Sequence, residues 1–221
     1  MHLEITSEIF QVGGSGYTSP EDAAIYLICF NGESALVDAG CGNYFDRLYA
    51  NISECGVDPK TIEYLLLTHC HYDHTGGAAD IHTQLGCKIL AHKLDAQFLE
   101  NGDNTVTAAS WYGATLTPFP VGRKISGKQT DILLGDKTIT AIHTPGHSPG
   151  SLVFLTESDG KKVLFGQDVH GPLAQDLKSD RKAYKASLEK LMLMDADILC
   201  EGHFGIYTGK DKIQRFIKSF L

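Results

Sequence analysis

The 221-residue chain has no apolar run long enough to span a bilayer, for which about 20 residues are needed. Its start, Met1-His2-Leu3-Glu4-Ile5, has neither the basic stretch nor the apolar core of an export signal. A cytoplasmic location is therefore expected, with no membrane partner. Six cysteines, at 29, 41, 55, 70, 87 and 200, show no paired spacing, so reduced thiols are the default rather than a disulfide framework. Positive charge is in deficit too: 19 basic against 27 acidic residues give a net charge of −8. A nucleic-acid surface needs a basic stripe to neutralise phosphates, which leaves a small molecule as the expected partner. Internal repeats and low-complexity tracts are missing as well. With 43% hydrophobic and 21% charged residues, the composition is that of an ordinary globular protein. The length fits one domain, 1–221, able to bury a two-layer core. Oligomeric state stays open, a homodimer included.

What the chain does have is histidine in one place. Thr68 to Gly77 reads Thr-His-Cys-His-Tyr-Asp-His-Thr-Gly-Gly, directly after the apolar run Tyr64-Leu65-Leu66-Leu67. In extended backbone His69 and His71 project to the same side, whereas in a helix residues two apart diverge. Two imidazoles can therefore meet one metal ion. Asp73 and His74 follow where Thr75-Gly76-Gly77 lets the chain turn sharply into a helix. Imidazole and carboxylate donors suit zinc, iron or manganese and demand no thiolate. Cys70, between the two histidines, points away from such a site by alternation, and Cys41 and Cys200 read as core residues.

Around this loop the pattern alternates between strand and helix. Ala24–Phe30 and Ser34–Asp38 are β-rich runs joined by Asn31-Gly32, a strong hairpin dipeptide. Helical spacing runs from Tyr44 to Glu54 and again from Ala78 to Leu85, with Gly86 as the stop. A short strand at 88–91 and a helix at 93–100 follow. Four strands are expected at 132–134, 138–142, 152–155 and 162–165, then a helix at 180–193, a strand at 197–200 and a closing helix at 210–220. Ile5, Ile9 and Val12 fit one opening strand. This order belongs to the α/β class. The stretch 101–122 has few periodic apolar positions and reads as a lid or mobile loop. It holds the only tryptophan, Trp111.

His69-x-His71-x-Asp73-His74 resembles the signature of the metallo-β-lactamase-fold hydrolases. Three downstream loops extend the likeness: Thr144-Pro-Gly-His147-Ser-Pro-Gly150, Phe165-Gly-Gln-Asp168, and Cys200-Glu-Gly-His203. The resemblance implies a four-layer αββα sandwich. It also implies a complete dinuclear site in which His69, His71 and His147 hold one metal, Asp73, His74 and His203 hold the other, and Asp168 bridges them. Two divalent ions are implied, zinc first, with iron or manganese as alternatives. Asp38, ending the run Leu36-Val37-Asp38-Ala39-Gly40, is expected to accept a hydrogen bond from a ligand histidine. The family covers its substrate with the region matching 101–122, which nominates Trp111, Tyr112 and Phe119 as pocket residues. His170 is a candidate substrate contact, and His2, His82, His92 and His143 read as ordinary histidines.

The implied activity is hydrolysis of a small ester, thioester or lactone by a metal-bridging hydroxide, with Asp73 orienting it or passing its proton. The ligand set is glyoxalase II-like, without that enzyme's C-terminal glutathione-binding extension. Lactonases of the family place a tyrosine where this chain has Gly171. Two other classes remain: a mononuclear iron dioxygenase of the persulfide dioxygenase type, and a binding module that keeps its metals without turnover.

Overall fold

Side chains alternate from face to face along a strand, and here that alternation sorts the apolar residues into three layers. The computed structural model describes residues 1–221, apart from the side chain of Gln167. A seven-stranded sheet has the order β1 (Leu3–Thr6), β2 (Ile9–Gly13), β3 (Ile25–Phe30), β4 (Glu33–Val37), β5 (Ile62–Leu66), β6 (Lys88–His92), β7 (Arg123–Ile125). Its first four strands form an antiparallel meander, and β4 to β7 run parallel. The parallel part needs crossovers, which α1 (Phe45–Glu54), α2 (Tyr72–Thr75), α3 (Ala78–Leu85) and α4 (Lys93–Asn101) supply.

The second sheet has six strands. Its order is β13 (Ile206–Thr208), β12 (Ile198–Glu201), β11 (Lys161–Gln167), β10 (Leu152–Ser158), β9 (Lys137–His143), β8 (Gln129–Leu134). α5 (Arg181–Leu193) links β11 to its parallel neighbour β12, and α6 (Lys210–Lys218) closes the chain. Tyr26, Ile28, Val37 and Leu66 of the first sheet meet Phe154 and Phe165 of the second in one buried cluster. Their neighbours Leu27, Leu36 and Leu65 point the other way, against α1 and α3. On the far side Val153, Leu164 and Leu199 pack on Leu188 of α5 and Ile217 of α6. The result is helix, sheet, sheet, helix, the sandwich the sequence leads one to expect. No helix is long and apolar enough to cross a membrane.

Two expectations need correction. The opening segment forms two strands, β1 and β2, because the chain reverses at Ser7-Glu8. The stretch 101–122 is tied into the first helical layer: Val106, Ala109, Leu116, Phe119 and Val121 are all buried there. Phe119 is thus a core residue and lines no pocket at the metal loop. Its apolar anchors escaped notice because irregular backbone spaces them without a period.

Candidate metal centre

β5 ends at Leu66, and the chain bends over Thr68–Cys70 before His71, in extended conformation, opens the single helical turn α2. His69 and His71 meet across this bend, at 3.0 Å between Nε2 and Nδ1, and the turn brings Asp73 and His74 round to face them. His147 comes from the loop between β9 and β10, Asp168 from the end of β11, and His203 from the loop after β12. The His147 loop can lie this close to α5 only because residue 146 is glycine. A Cβ on Gly146 would stand 2.1 Å from the Tyr184 nitrogen, at a φ of +134°.

All seven side chains converge. Around one point, His69 Nε2 lies 3.0 Å from His71 Nδ1 and 3.2 Å from His147 Nε2. Asp168 Oδ2 is 3.2 Å from His147 Nε2 and 3.8 Å from His69 Nε2. Around a second point, Asp73 Oδ2 lies 3.1 Å from His203 Nε2 and 3.7 Å from His74 Nε2. The other Asp168 oxygen, Oδ1, is 3.1 Å from His74 Nε2 and 3.5 Å from His203 Nε2. Donors placed tetrahedrally about a zinc ion at roughly 2.1 Å stand about 3.4 Å from one another. Both clusters have that spacing, and Asp168 belongs to both. His74 Nε2 and Asp168 Oδ1 are buried without a hydrogen-bond partner among the described residues, which fits atoms shaped to hold a cation.

The outer nitrogens of three of the histidines are fixed as a metal site requires. His74 Nδ1 donates to Asp38 Oδ2 at 2.6 Å. Thr68 Oγ1 donates to the same oxygen at 2.7 Å and accepts from His69 Nδ1 at 3.0 Å. Asp38, held at a positive φ of 63°, thus orients two histidines at once. His147 Nδ1 donates to the Pro172 carbonyl at 2.9 Å. These three rings present Nε2 inward, and His71 presents Nδ1.

Electrostatics divide the site in two. Burial, reinforced by neighbouring imidazoles, holds His69 well below the usual histidine range and His71 down to about 3. Both rings are neutral at pH 7 and offer lone pairs. Burial acts the same way on His74 and His203, but Asp168 and Asp73 outweigh it and push both imidazoles up. Burial alone would raise Asp168, yet the adjacent His74 and His147 keep its carboxyl well below the usual range. A buried pair of ionised carboxylates calls for positive charge. No thiol answers as a ligand: burial pushes the Cys41, Cys70 and Cys200 pKa values up, leaving neutral sulfur.

Several nearby groups gain definition. His170 Nδ1 lies 2.8 Å from Oε1 of the buried Glu201, and its ring stands 5.2 Å from that of His203. Glu201 Oε2 also accepts the amides of His203 and Phe204, each at 2.8 Å. Tyr112 packs on Tyr72, and its hydroxyl pKa is raised by burial and then by Asp73, so it borders the site. Trp111 beside it is 54% exposed. His92 and His143 stack on each other, and His82 bonds the Cys87 carbonyl. Sequence reasoning missed Thr68, Asp95 and Glu201. Their only signal was adjacency to a motif loop or, for Asp95, none at all.

The chain matches the family model described as the metallo-beta-lactamase superfamily over residues 18–203. It is 28% identical to the human acyl-coenzyme A thioesterase MBLAC2, over 100% of this chain and 86% of that protein. A probable metallo-hydrolase, MJ0888 of Methanocaldococcus jannaschii, is 31% identical over 68% of each chain. Among solved structures, the metallo-beta-lactamase GOB-18 from Elizabethkingia meningoseptica superposes with a TM-score of 0.81 at 26% identity, covering 99% of this chain and 88% of that one. BJP-1 of Bradyrhizobium japonicum gives 0.79 at 24% identity, covering 99% and 90%, a likeness of fold alone. With the fold, the clustered donors and these relatives in agreement, the chain belongs to the metallo-beta-lactamase superfamily and is one of its metal-dependent hydrolases.

Proposed function

We propose that the chain is a dinuclear metal hydrolase of small acyl substrates, esters, thioesters or lactones, with His69, His71, Asp73, His74, His147, Asp168 and His203 as its ligands. The observation that carries this reading is the orientation of Asp168, whose two oxygens serve two separate donor clusters. A thioester is the first substrate to try, because the human relative spanning the whole chain is an acyl-coenzyme A thioesterase.

Two bound divalent ions supply a water whose pKa falls toward neutral and a Lewis acid for the carbonyl oxygen. The protein supplies access and proton handling. His69, His71, His74 and His147 are buried, whereas the His203 side chain is 32% exposed, so substrate enters from the His203 and Asp73 side. Asp73 turns Oδ2 to the histidines. Its other oxygen takes the proton of the attacking water and returns it to the leaving group. Tyr112 flanks this path and Phe204 flanks it on the His203 side.

Elemental analysis of protein purified from its native host, followed by a panel of thioesters, esters, lactones and phosphoesters, tests the reading. About two ions per chain are expected, with acyl hydrolysis abolished by chelation and restored by zinc. One iron per chain with oxygen uptake, or two tightly held ions with no turnover on any acyl substrate, would overturn it.

A further inference from the structure

Asp95 lies in the first turn of α4, outside every motif, and is buried. An acid at that position ordinarily faces solvent and complements the helix dipole. Here it points inward. Asp95 Oδ2 accepts the Ser148 hydroxyl at 2.5 Å, and Oδ1 accepts the Gly150 amide at 2.6 Å. Ser148 and Gly150 follow His147 on its loop. Ser151 closes the arrangement: its hydroxyl lies 2.8 Å from that of Ser148 and accepts the Ser148 amide at 3.0 Å. On its other side the carboxylate faces Cys70, between His69 and His71, whose thiol pKa is pushed up first by burial and then by Asp95. One buried anion is therefore bonded to the loop that carries His147 and faces the loop that carries His69 and His71.

The approach is too close for any residue but glycine at 150. A Cβ there would lie 2.6 Å from Asp95 Oδ1 and 2.7 Å from the Asp95 nitrogen. Nothing comparable ties Asp95 to the other cluster. Asp38 holds His74 directly and His69 through Thr68, and Glu201 holds the His203 loop.

We propose that Asp95 is a positioning residue of the three-histidine cluster, setting the His147 loop against His69 and His71 so that this position binds its ion more tightly than loose loops would allow. This inference rests on the reading of the seven residues as metal ligands. Asp95 itself touches neither ion nor substrate. The side chain acts through spacing: His69 Nε2 and His147 Nε2 stand 3.2 Å apart only while the two loops keep their separation. Replacing the carboxylate by an amide removes the negative charge and one of the two acceptors that hold the Ser148 hydroxyl and the Gly150 amide, which loosens the His147 loop.

The test uses single-ion backgrounds. In His203→Ala protein the three-histidine position remains, and in His71→Ala protein the other one remains. Zinc affinity is measured in each by competition with a chelator, with and without Asp95→Asn, and the cobalt-substituted protein is followed by its visible spectrum. Asp95→Asn is expected to weaken zinc in the His203→Ala background by 10- to 100-fold, the usual effect of losing an orienting partner. It is expected to leave affinity in the His71→Ala background within about twofold, and to change the cobalt spectrum only in the former. Ser148→Ala, a milder change, is expected to shift affinity in the same direction by less, and it carries the test if Asp95→Asn does not fold. Equal loss in both backgrounds, or no loss in either, would overturn the proposal and leave Asp95 a structural residue. Failure of the His203→Ala and His71→Ala proteins alike to bind zinc at all would instead overturn the ligand reading beneath it.

Discussion

At the scale of single residues, the centre is governed by which atom each side chain turns inward. Neutral histidine has one nitrogen that donates and one that accepts. Fixing the outer N–H on Asp38, Thr68 or Pro172 therefore aims the lone pair before any ion arrives. Asp168 carries the heaviest consequence, since its oxygens belong to different clusters. Asp168→Ala is expected to lower the bound metal from two ions toward one and to cut turnover by at least 100-fold, as befits loss of a shared ligand. Elemental analysis beside steady-state kinetics checks this, and a variant that keeps two ions sinks the bridging role. Cys70, expected to point away from the site, is buried among the apolar side chains of the first helical layer.

At the scale of elements, the strands deliver ligands and the helices hold the delivering loops. α5 is an example. Asp180 caps it by accepting the amides of Lys182 and Ala183, and Tyr184 in its first turn bonds the Val169 carbonyl beyond Asp168. At the start of α4, His92 stacks on His143 with ring centroids 4.0 Å apart. Burial, the facing His143 and Lys93 lower the His92 pKa to about 4. The unfolded value is about 6.5. The folded state therefore disfavours protonation, and its contribution is fully present above pH 6.5 and lost as pH falls toward 4. Urea midpoints of the metal-stripped protein are expected to drop through that window. His92→Asn, which keeps a capping acceptor, is expected to flatten the drop, and a parallel curve would refute the assignment.

At the scale of the whole molecule, the two sheets share the cluster that keeps the four loops bearing the clustered histidines and aspartates in register at one edge. Phe154, fully buried between the sheets, tests that dependence. Phe154→Ala is expected to cost about 3–5 kcal/mol in urea denaturation, the usual range for a large aromatic removed from a packed core. Zinc stoichiometry is expected to stay at the wild-type value in the fraction that remains folded. A loss below about 1 kcal/mol would mean that the inter-sheet layer collapses readily around the gap.

The sequence by itself determined the local features. Asn31-Gly32 closed a hairpin, Gly86 stopped a helix, and periodicity marked α1, α3, α4 and α5; His69 and His71 meet as expected, though across a bend rather than along a strand. Each depends on neighbours within a few residues, where backbone sterics and side-chain period act directly. Family likeness extended this to the downstream histidines and to the sandwich. Only the tertiary structure decided the rest. It buried Phe119, whose anchoring contacts lie across the fold, and it split the opening segment into β1 and β2. It also turned Asp95 and Glu201 inward onto ligand loops more than 50 and 30 residues away along the chain, Ser148 and His170 being their respective partners. Such partners are chosen by the packing of whole layers, and no short stretch of sequence carries that information.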